Sequence, residues 1–337
     1  MIAFPAQSAR HEAETATVCF RGWRTTKLIV QSATIVLLFH SFTTTFISGL
    51  SAQVQGKLIV NGVELHYKTF GVGEPLLLIN GGPGASSNHL IPPAKALARN
   101  YKVIIFDQRG TGLSRLKTIS ESTISLQLMV DDVEALRKHL AIEAWVIEGH
   151  SFGGQLAMAY ASRYPNRVRA LILVGSAGVT LEYIDSYNEE LFKRLTKTEL
   201  AAYRYWADPT RQAADPKRAG NEMLRAMLPA LVYNRTHLPK LVSLYKNAFS
   251  PAVNAMVNRN LRSINFDLRQ QMGGFGNPVL IVYGRHDALY GEASDQIRLT
   301  FKKARFEVIE DCGHIPFIEQ PERFFRITKD FIKGLTL

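Results

Sequence analysis

The chain has 337 residues, 46% of them hydrophobic and 20% charged, ordinary values for a folded globular protein and unlike those of collagen-like, disordered or polytopic membrane chains. Its 40 Lys and Arg against 29 Asp and Glu give a formal charge of +11. The basic residues are scattered and accompany no basic helix, zinc knuckle or aromatic RNA-binding strand, so nucleic acid is not an expected partner.

From Leu28 to Gly56 there is no Lys, Arg, Asp or Glu, and Arg21, Arg24 and Lys27 sit just before this stretch. A positive flank, an apolar centre and Leu50-Ser51-Ala52 ahead of Gln53 have the form of a secretory signal cut after Ala52. Residues 1–52 are therefore expected to be a leader, and the mature protein to be exported, periplasmic or secreted. The rival is an uncleaved membrane anchor, since the uncharged stretch is long enough to span a bilayer. Gln31, Ser32, Thr34, His40 and Thr43 to Thr45 dilute its apolar character. Membrane contact is expected only through this segment. Of the two cysteines, Cys19 falls in the leader, which leaves Cys312 alone. Neither an internal disulfide nor a cysteine-based metal site is expected.

After Gln53, Leu58 to Val60 and Val63 to Phe70, separated by Asn61-Gly62, predict an opening β-hairpin with a tight turn. Leu76 to Ile79, Val103 to Phe106, Trp145 to Ile147 and Leu171 to Val174 are continuous apolar runs, the pattern of strands buried on both faces. Ile124, Leu128, Val133, Leu136 and Leu140 are spaced as an amphipathic helix, and Gln155 to Tyr164 predicts another, stopped at Pro165. From about Thr180 to Phe266 the strand-like runs vanish, and helical stretches punctuated by Pro209, Pro216, Pro229 and Pro239 carry many aromatic residues. Pro278 to Tyr283 and Phe306 to Ile309 resume the strand pattern, and Pro321 to Leu335 predicts a closing helix. The expected fold is α/β: a mostly parallel central sheet flanked by helices, with core residues 53–179 and 267–337 and a helical cap at 180–266.

Gly149-His150-Ser151-Phe152-Gly153-Gly154 stands between a strand and a helix, the context that a G-x-S-x-G nucleophile elbow requires. A serine hydroxyl needs a base to take its proton, and the base an acid to orient it. Asp287 follows the strand ending at Tyr283, and His314 follows the strand ending at Ile309. The chain order Ser151, Asp287, His314 is that of an α/β-hydrolase triad. Asp295 and Asp311 compete as the acid, but a helix charge and a loop charge are the plainer readings. His150 reads as packing at the elbow and His286 as a neighbour of the acid. Asn80-Gly81-Gly82-Pro83-Gly84 ends a strand where a backbone N–H must reach a developing oxyanion, so Gly82 and Phe152 are the expected donors. A phosphate loop would need a Lys and a spacing that are absent.

Asn80-Gly81-Gly82-Pro83-Gly84, Asp107-Gln108-Arg109-Gly110-Thr111-Gly112-Leu113-Ser114 and the Ser151 elbow together resemble the three signature stretches of the prolyl aminopeptidase (proline iminopeptidase) branch of the α/β-hydrolase superfamily. The resemblance spans about residues 57–176 and 278–334. It implies a serine hydrolase, with no cofactor or metal, that releases N-terminal proline from short peptides through an acyl-enzyme. Two positions depart from the pattern. Asn80 stands where the family usually has His, and is expected to hydrogen-bond within the loop. Ala207 falls where a cap acid after a Trp reads the substrate amine, which leaves Trp206, Asp208 and Glu222 as the candidates for substrate binding. The cap aromatics Tyr183, Tyr187, Phe192, Tyr203, Tyr205, Trp206, Tyr233, Tyr245, Phe249 and Phe266 point as a group to an apolar or ring-bearing acyl part. A carboxylesterase for small apolar or aromatic esters is the alternative, and a ligand-binding protein without turnover a third reading. The expected partner is a small molecule or a short peptide.

Overall fold

The computed structural model describes residues 53–335, so the proposed leader, with Cys19, lies outside the described residues. The strands are β1 (Val54–Val60), β2 (Val63–Phe70), β3 (Pro75–Ile79), β4 (Lys102–Phe106), β5 (Trp145–His150), β6 (Val168–Val174), β7 (Val279–Gly284) and β8 (Arg305–Ile309). They form one sheet in the order β1-β2-β4-β3-β5-β6-β7-β8. The β1–β2 and β2–β4 pairs are antiparallel and every later pair is parallel. Asn61 and Gly62, with φ of 45° and 79°, make the tight turn of the first hairpin. β1 begins at Val54 rather than Leu58, because its exposed first residues are held by pairing with β2 and not by an apolar run.

Alternate residues of the central strands feed two apolar layers. Leu77, Ile104, Ile147 and Leu173 pack on α2 (Leu126–His139) and α3 (Phe152–Arg163), while α1 (Ile91–Leu97) lies on the opposite layer. Leu76, Val103, Val146 and Ile172 pack on that opposite layer with Leu97, Phe324 and Ile327. A strand covered on both faces has no polar side to show, which is why these segments read as unbroken hydrophobic runs. Each such Leu or Ile contributes about 1.5–3 kcal/mol relative to remaining exposed. α3 starts at Phe152, three residues before the predicted Gln155. Its first turn contains Gly153 and Gly154, which sequence propensity scores against a helix. A Cβ at Gly153 would strike the Ile79 carbonyl, and one at Gly154 the Ser176 side chain, so tertiary closeness dictates the glycines.

The segment after β6 leaves the sheet and returns to it. Thr180 and Asp267 form a β-bridge, and Leu268 N–H donates to Val179 O at 2.9 Å, so its two ends meet. Between them lie α4 (Ile184–Lys193), α5 (Lys197–Trp206), α6 (Pro209–Ala214), α7 (Pro216–Leu231), α8 (Leu238–Leu244) and α9 (Pro251–Ser263). The short α10 (Arg269–Gly273) leads back to β7, α11 (Glu292–Thr300) joins β7 to β8, and α12 (Pro316–Glu319) and α13 (Pro321–Lys333) close the chain. Among the described residues no helix is long and apolar enough to cross a membrane.

Candidate active site

Ser151 sits between the last residue of β5 and the first of α3, with φ 58° and ψ −125°. A non-glycine residue in this region costs about 1–3 kcal/mol and persists only where its surroundings fix it. Its N–H donates to Val174 O at 3.0 Å, and its carbonyl accepts from Gly154 N at 2.9 Å and Ala177 N at 3.1 Å. The strain is thus held by three bonds to two neighbouring elements, and Ser151 lines a cavity above the sheet.

Asp287 lies in the loop after β7, and His314 in the loop after β8. His314 Nδ1 is 2.9 Å from Asp287 Oδ2. The other carboxylate oxygen accepts from Leu289 N at 2.9 Å. Both side chains are buried, at 2% and 5% exposure, so the pair is shielded from water. An Nδ1–H given to Asp287 leaves Nε2 as the acceptor nitrogen, and His314 lines the same cavity as Ser151. Gly175, with φ 46°, makes room for the pair: a Cβ there would stand 2.7 Å from Asp287 Oδ2 and 3.0 Å from His314 Nδ1.

The rival groups are placed elsewhere. Asp295 lies on α11 beside Arg298, and Asp311 is an exposed loop residue. The His286 ring stacks on Tyr233, and its carbonyl accepts from Arg194. His150 Nε2 contacts His314 O at 2.8 Å, and the two rings lie 4.7 Å apart. His89 meets His150 edge-on at 6.0 Å and stacks on Tyr245 at 4.6 Å. Burial, reinforced by the neighbouring imidazoles, holds His150 well below the usual histidine range. Burial takes His89 down to about 3. On β5, burial pushes the unpartnered Glu148 carboxyl up to about 8. At pH 7 the polar groups beneath the site are therefore mostly neutral, and they do not compete electrostatically with Asp287 for the imidazole.

The loop after β3 is braced by the second signature stretch. Asn80 Nδ2 donates to Ala85 O at 2.9 Å and Gly81 O at 3.2 Å, the loop-stabilising bonds expected of this residue. Gln108 Nε2 donates to Asn80 O at 2.8 Å. Asp107 accepts from the N–H and hydroxyl of Ser87 and from Leu113 N. Arg109 is anchored by a buried bidentate pair with Asp132 at 2.7 and 2.6 Å. Among the described residues neither the Gly82 nor the Phe152 N–H has an acceptor. Both residues line the cavity, as oxyanion donors must.

The cavity has a volume of about 300 Å³. Tyr183, Tyr187, Tyr203, Tyr245 and Phe249 of the cap line it, with Leu181, Leu191, Met223 and Met227. The structure does not bring Trp206, Asp208 or Glu222 to it. Asp208 caps α6 by accepting from Thr210 N and Arg211 N, and Trp206 lies under the Arg218 guanidinium at 5.1 Å. Among the described residues no Asp or Glu lines the cavity, whereas Asn254, Asn258 and Arg262 of α9 do. Sequence reasoning passed over these three. The available signal was a polar stripe at i, i+4, i+8 beside the buried stripe Val253, Val257 and Leu261. Glu319 was also missed: its carboxylate accepts from Gly313 N at 3.0 Å and Tyr233 N at 2.7 Å, and so pins the His314 loop to the cap.

A mostly parallel sheet with a serine at a strained strand-to-helix turn, facing a His–Asp pair from later strand ends, defines a class of hydrolases. The chain belongs to the alpha/beta hydrolase fold family, whose model matches residues 74–321. It is 26% identical over 290 residues to a proline iminopeptidase of Heyndrickxia coagulans, covering 83% of this chain and 99% of the relative. It is 25% identical over 291 residues to a 2-hydroxy-6-oxo-2,4-heptadienoate hydrolase of Pseudomonas putida, covering 85% and 98%. The solved meta-cleavage product hydrolase CumD of Pseudomonas fluorescens superposes with a TM-score of 0.64 at 26% identity, covering 82% of this chain and 97% of that one.

Proposed function

We propose that the protein is a serine hydrolase that cleaves carboxylic esters with an apolar acyl part through an acyl-enzyme. Ser151 Oγ attacks the carbonyl carbon while His314 Nε2 takes its proton, and Asp287 holds the imidazole and offsets its positive charge. The Gly82 and Phe152 N–H groups donate hydrogen bonds to the carbonyl oxygen as negative charge forms on it. His314 returns the proton to the departing alkoxide, which leaves as the alcohol. Water, deprotonated by the same histidine, then splits the acyl-enzyme into acid and free serine.

One observation carries the choice of an ester over a peptide amine: among the described residues the cavity lining contains no carboxylate. An α-ammonium group brought into this apolar space would lose its hydration with no counter-charge to replace it. The dienoate hydrolase among the relatives is named for an oxo acid without an amine, which supports a site that does not depend on a substrate amine. The second reading, a prolyl aminopeptidase, is favoured by the relatives that carry that name and by the three signature stretches.

Protein from Gln53 onward, assayed on a short-chain aryl ester, a prolyl arylamide and its N-acetyl form, separates the two. Ester turnover well above both amides is the expected result. Activity confined to the free-amine prolyl compound would overturn the ester reading. The leader supports export as the place of action, tested by whether the mature protein from cells begins at Gln53.

A further inference from the structure

We infer that the stripe Asn254, Asn258 and Arg262 on α9 selects substrates that carry a carboxylate, so that the cavity takes an anionic ester by its charged end. This inference rests on the ester reading and names its substrate class. The stripe is tied to the reaction centre at one end. Asn254 Nδ2 donates to Pro83 O at 2.9 Å, and Ser250 N donates to Gly84 O at 2.9 Å, so the first turn of α9 is clamped to the oxyanion loop.

Asn258 Nδ2 donates in turn to Asn254 O at 3.0 Å and to Asn254 Oδ1 at 3.2 Å, one turn further along. Arg262 follows after another turn. Helical rise puts its Cα about 12 Å along the axis from Asn254, and side chains of a helix lean toward its N-terminus, here toward the oxyanion loop. An axial separation of about 12 Å between the two ends of the stripe is comparable to the length of a medium acyl chain.

Among the described residues Arg262 is the only Lys or Arg lining the cavity; it is exposed at the cavity rim, and its guanidinium has no ion-pair or hydrogen-bond partner there. Surface arginines of this protein commonly do pair, as Arg235 does with Glu199 and Arg285 with Glu310. A planar fork of donors at the rim of a cavity whose described lining has no acid is suited to a carboxylate and repels an amine. The neutral asparagines beside it fix the loop and leave the fork free for substrate.

The test compares the 4-nitrophenyl monoester of suberic acid with 4-nitrophenyl octanoate at low ionic strength, in the protein from Gln53 onward and in its Arg262→Gln and Arg262→Lys variants. The expected result is a wild-type preference for the monosuberate in kcat/KM. That preference falls at least about tenfold in Arg262→Gln, mainly through KM, and partly survives in Arg262→Lys. Added salt lowers it in the wild type. If Arg262→Gln lowers both esters equally, or leaves the ratio unchanged, the anion role of α9 is wrong while the ester reading stands. If neither ester is turned over and the prolyl arylamide is, the ester reading falls and this inference with it.

Discussion

The backbone N–H of His314 donates to the carbonyl of Leu231 at 2.7 Å, so the proposed base hangs from the last turn of cap helix α7. Glu319 doubles the connection by accepting from Gly313 N and Tyr233 N. The base is therefore positioned by the cap as well as by Asp287, and any shift of α7 reaches the reaction centre. Replacing Glu319 by Ala leaves the Gly313, Tyr233 and Asn234 N–H groups without this acceptor, at a cost of about 1–3 kcal/mol. The expected outcome is a lower unfolding midpoint and a kcat reduced about tenfold with little change in KM, since the loss falls on base alignment. A lower midpoint with full kcat would make Glu319 a purely structural residue.

Gly175 gives a cleaner probe of the pair itself. Its positive φ and the nearness of Asp287 and His314 mean that Gly175→Ala must push one of them aside. The expected result is a fall in kcat of roughly tenfold or more from a misplaced catalytic group, measured by steady-state ester hydrolysis beside a thermal melt. An unchanged kcat would show that the His314–Asp287 geometry is not what limits the rate.

The pH dependence of stability follows from the buried neutral groups. Glu148 keeps its proton up to about 8 in the fold and loses it near 4.5 when unfolded, so the folded state binds more protons in that window and stability falls as pH rises through it. Glu148→Gln removes this dependence. The variant should gain on the wild type by about 1.4 kcal/mol per pH unit between roughly pH 5 and 8, read from denaturant midpoints. His89, depressed to about 3, and His150, also depressed, act with the opposite sign. Their stabilising effect is complete above the unfolded histidine value and is lost as pH falls from about 6.5.

The Arg109–Asp132 pair is fully buried, and breaking it strands a charge. Arg109→Leu should destabilise by about 3–5 kcal/mol, and the Arg109→Leu/Asp132→Leu double variant should recover much of that. Urea titrations of the three proteins check the order.

The sheet was legible because its central strands are buried on both faces and β3 to β7 read as apolar runs, while the edge strand β8 carries Arg305 and Glu307 and was read from the shorter Phe306 to Ile309 stretch. Ser151, Asp287 and His314 were legible because each follows a strand end, so chain order alone brings them to one edge of the sheet. The cap was not legible at the same depth. Trp206 and Asp208 were chosen by alignment to a motif and Glu222 as the other nearby carboxylate, yet which side of a helix faces the cavity depends on how six short helices pack. Asp208 instead serves as a helix cap, and the lining falls to Tyr187, Met223 and Asn258, whose spacing alone does not distinguish a pocket wall from a helix interface. Gly175 and Glu319 escaped notice because their work is done through space, against residues more than a hundred positions away for Gly175 and through backbone amides for Glu319.

The most direct measurement of the central claim is covalent labelling of the protein from Gln53 onward with a fluorophosphonate, the modified residue located by peptide mass spectrometry and ester turnover followed in parallel. Labelling at Ser151 in step with loss of turnover, and neither labelling nor turnover in a folded Ser151→Ala variant, is the expected result. Ester hydrolysis that persists in Ser151→Ala, or a labelled residue elsewhere, would contradict the assignment of Ser151 as the nucleophile.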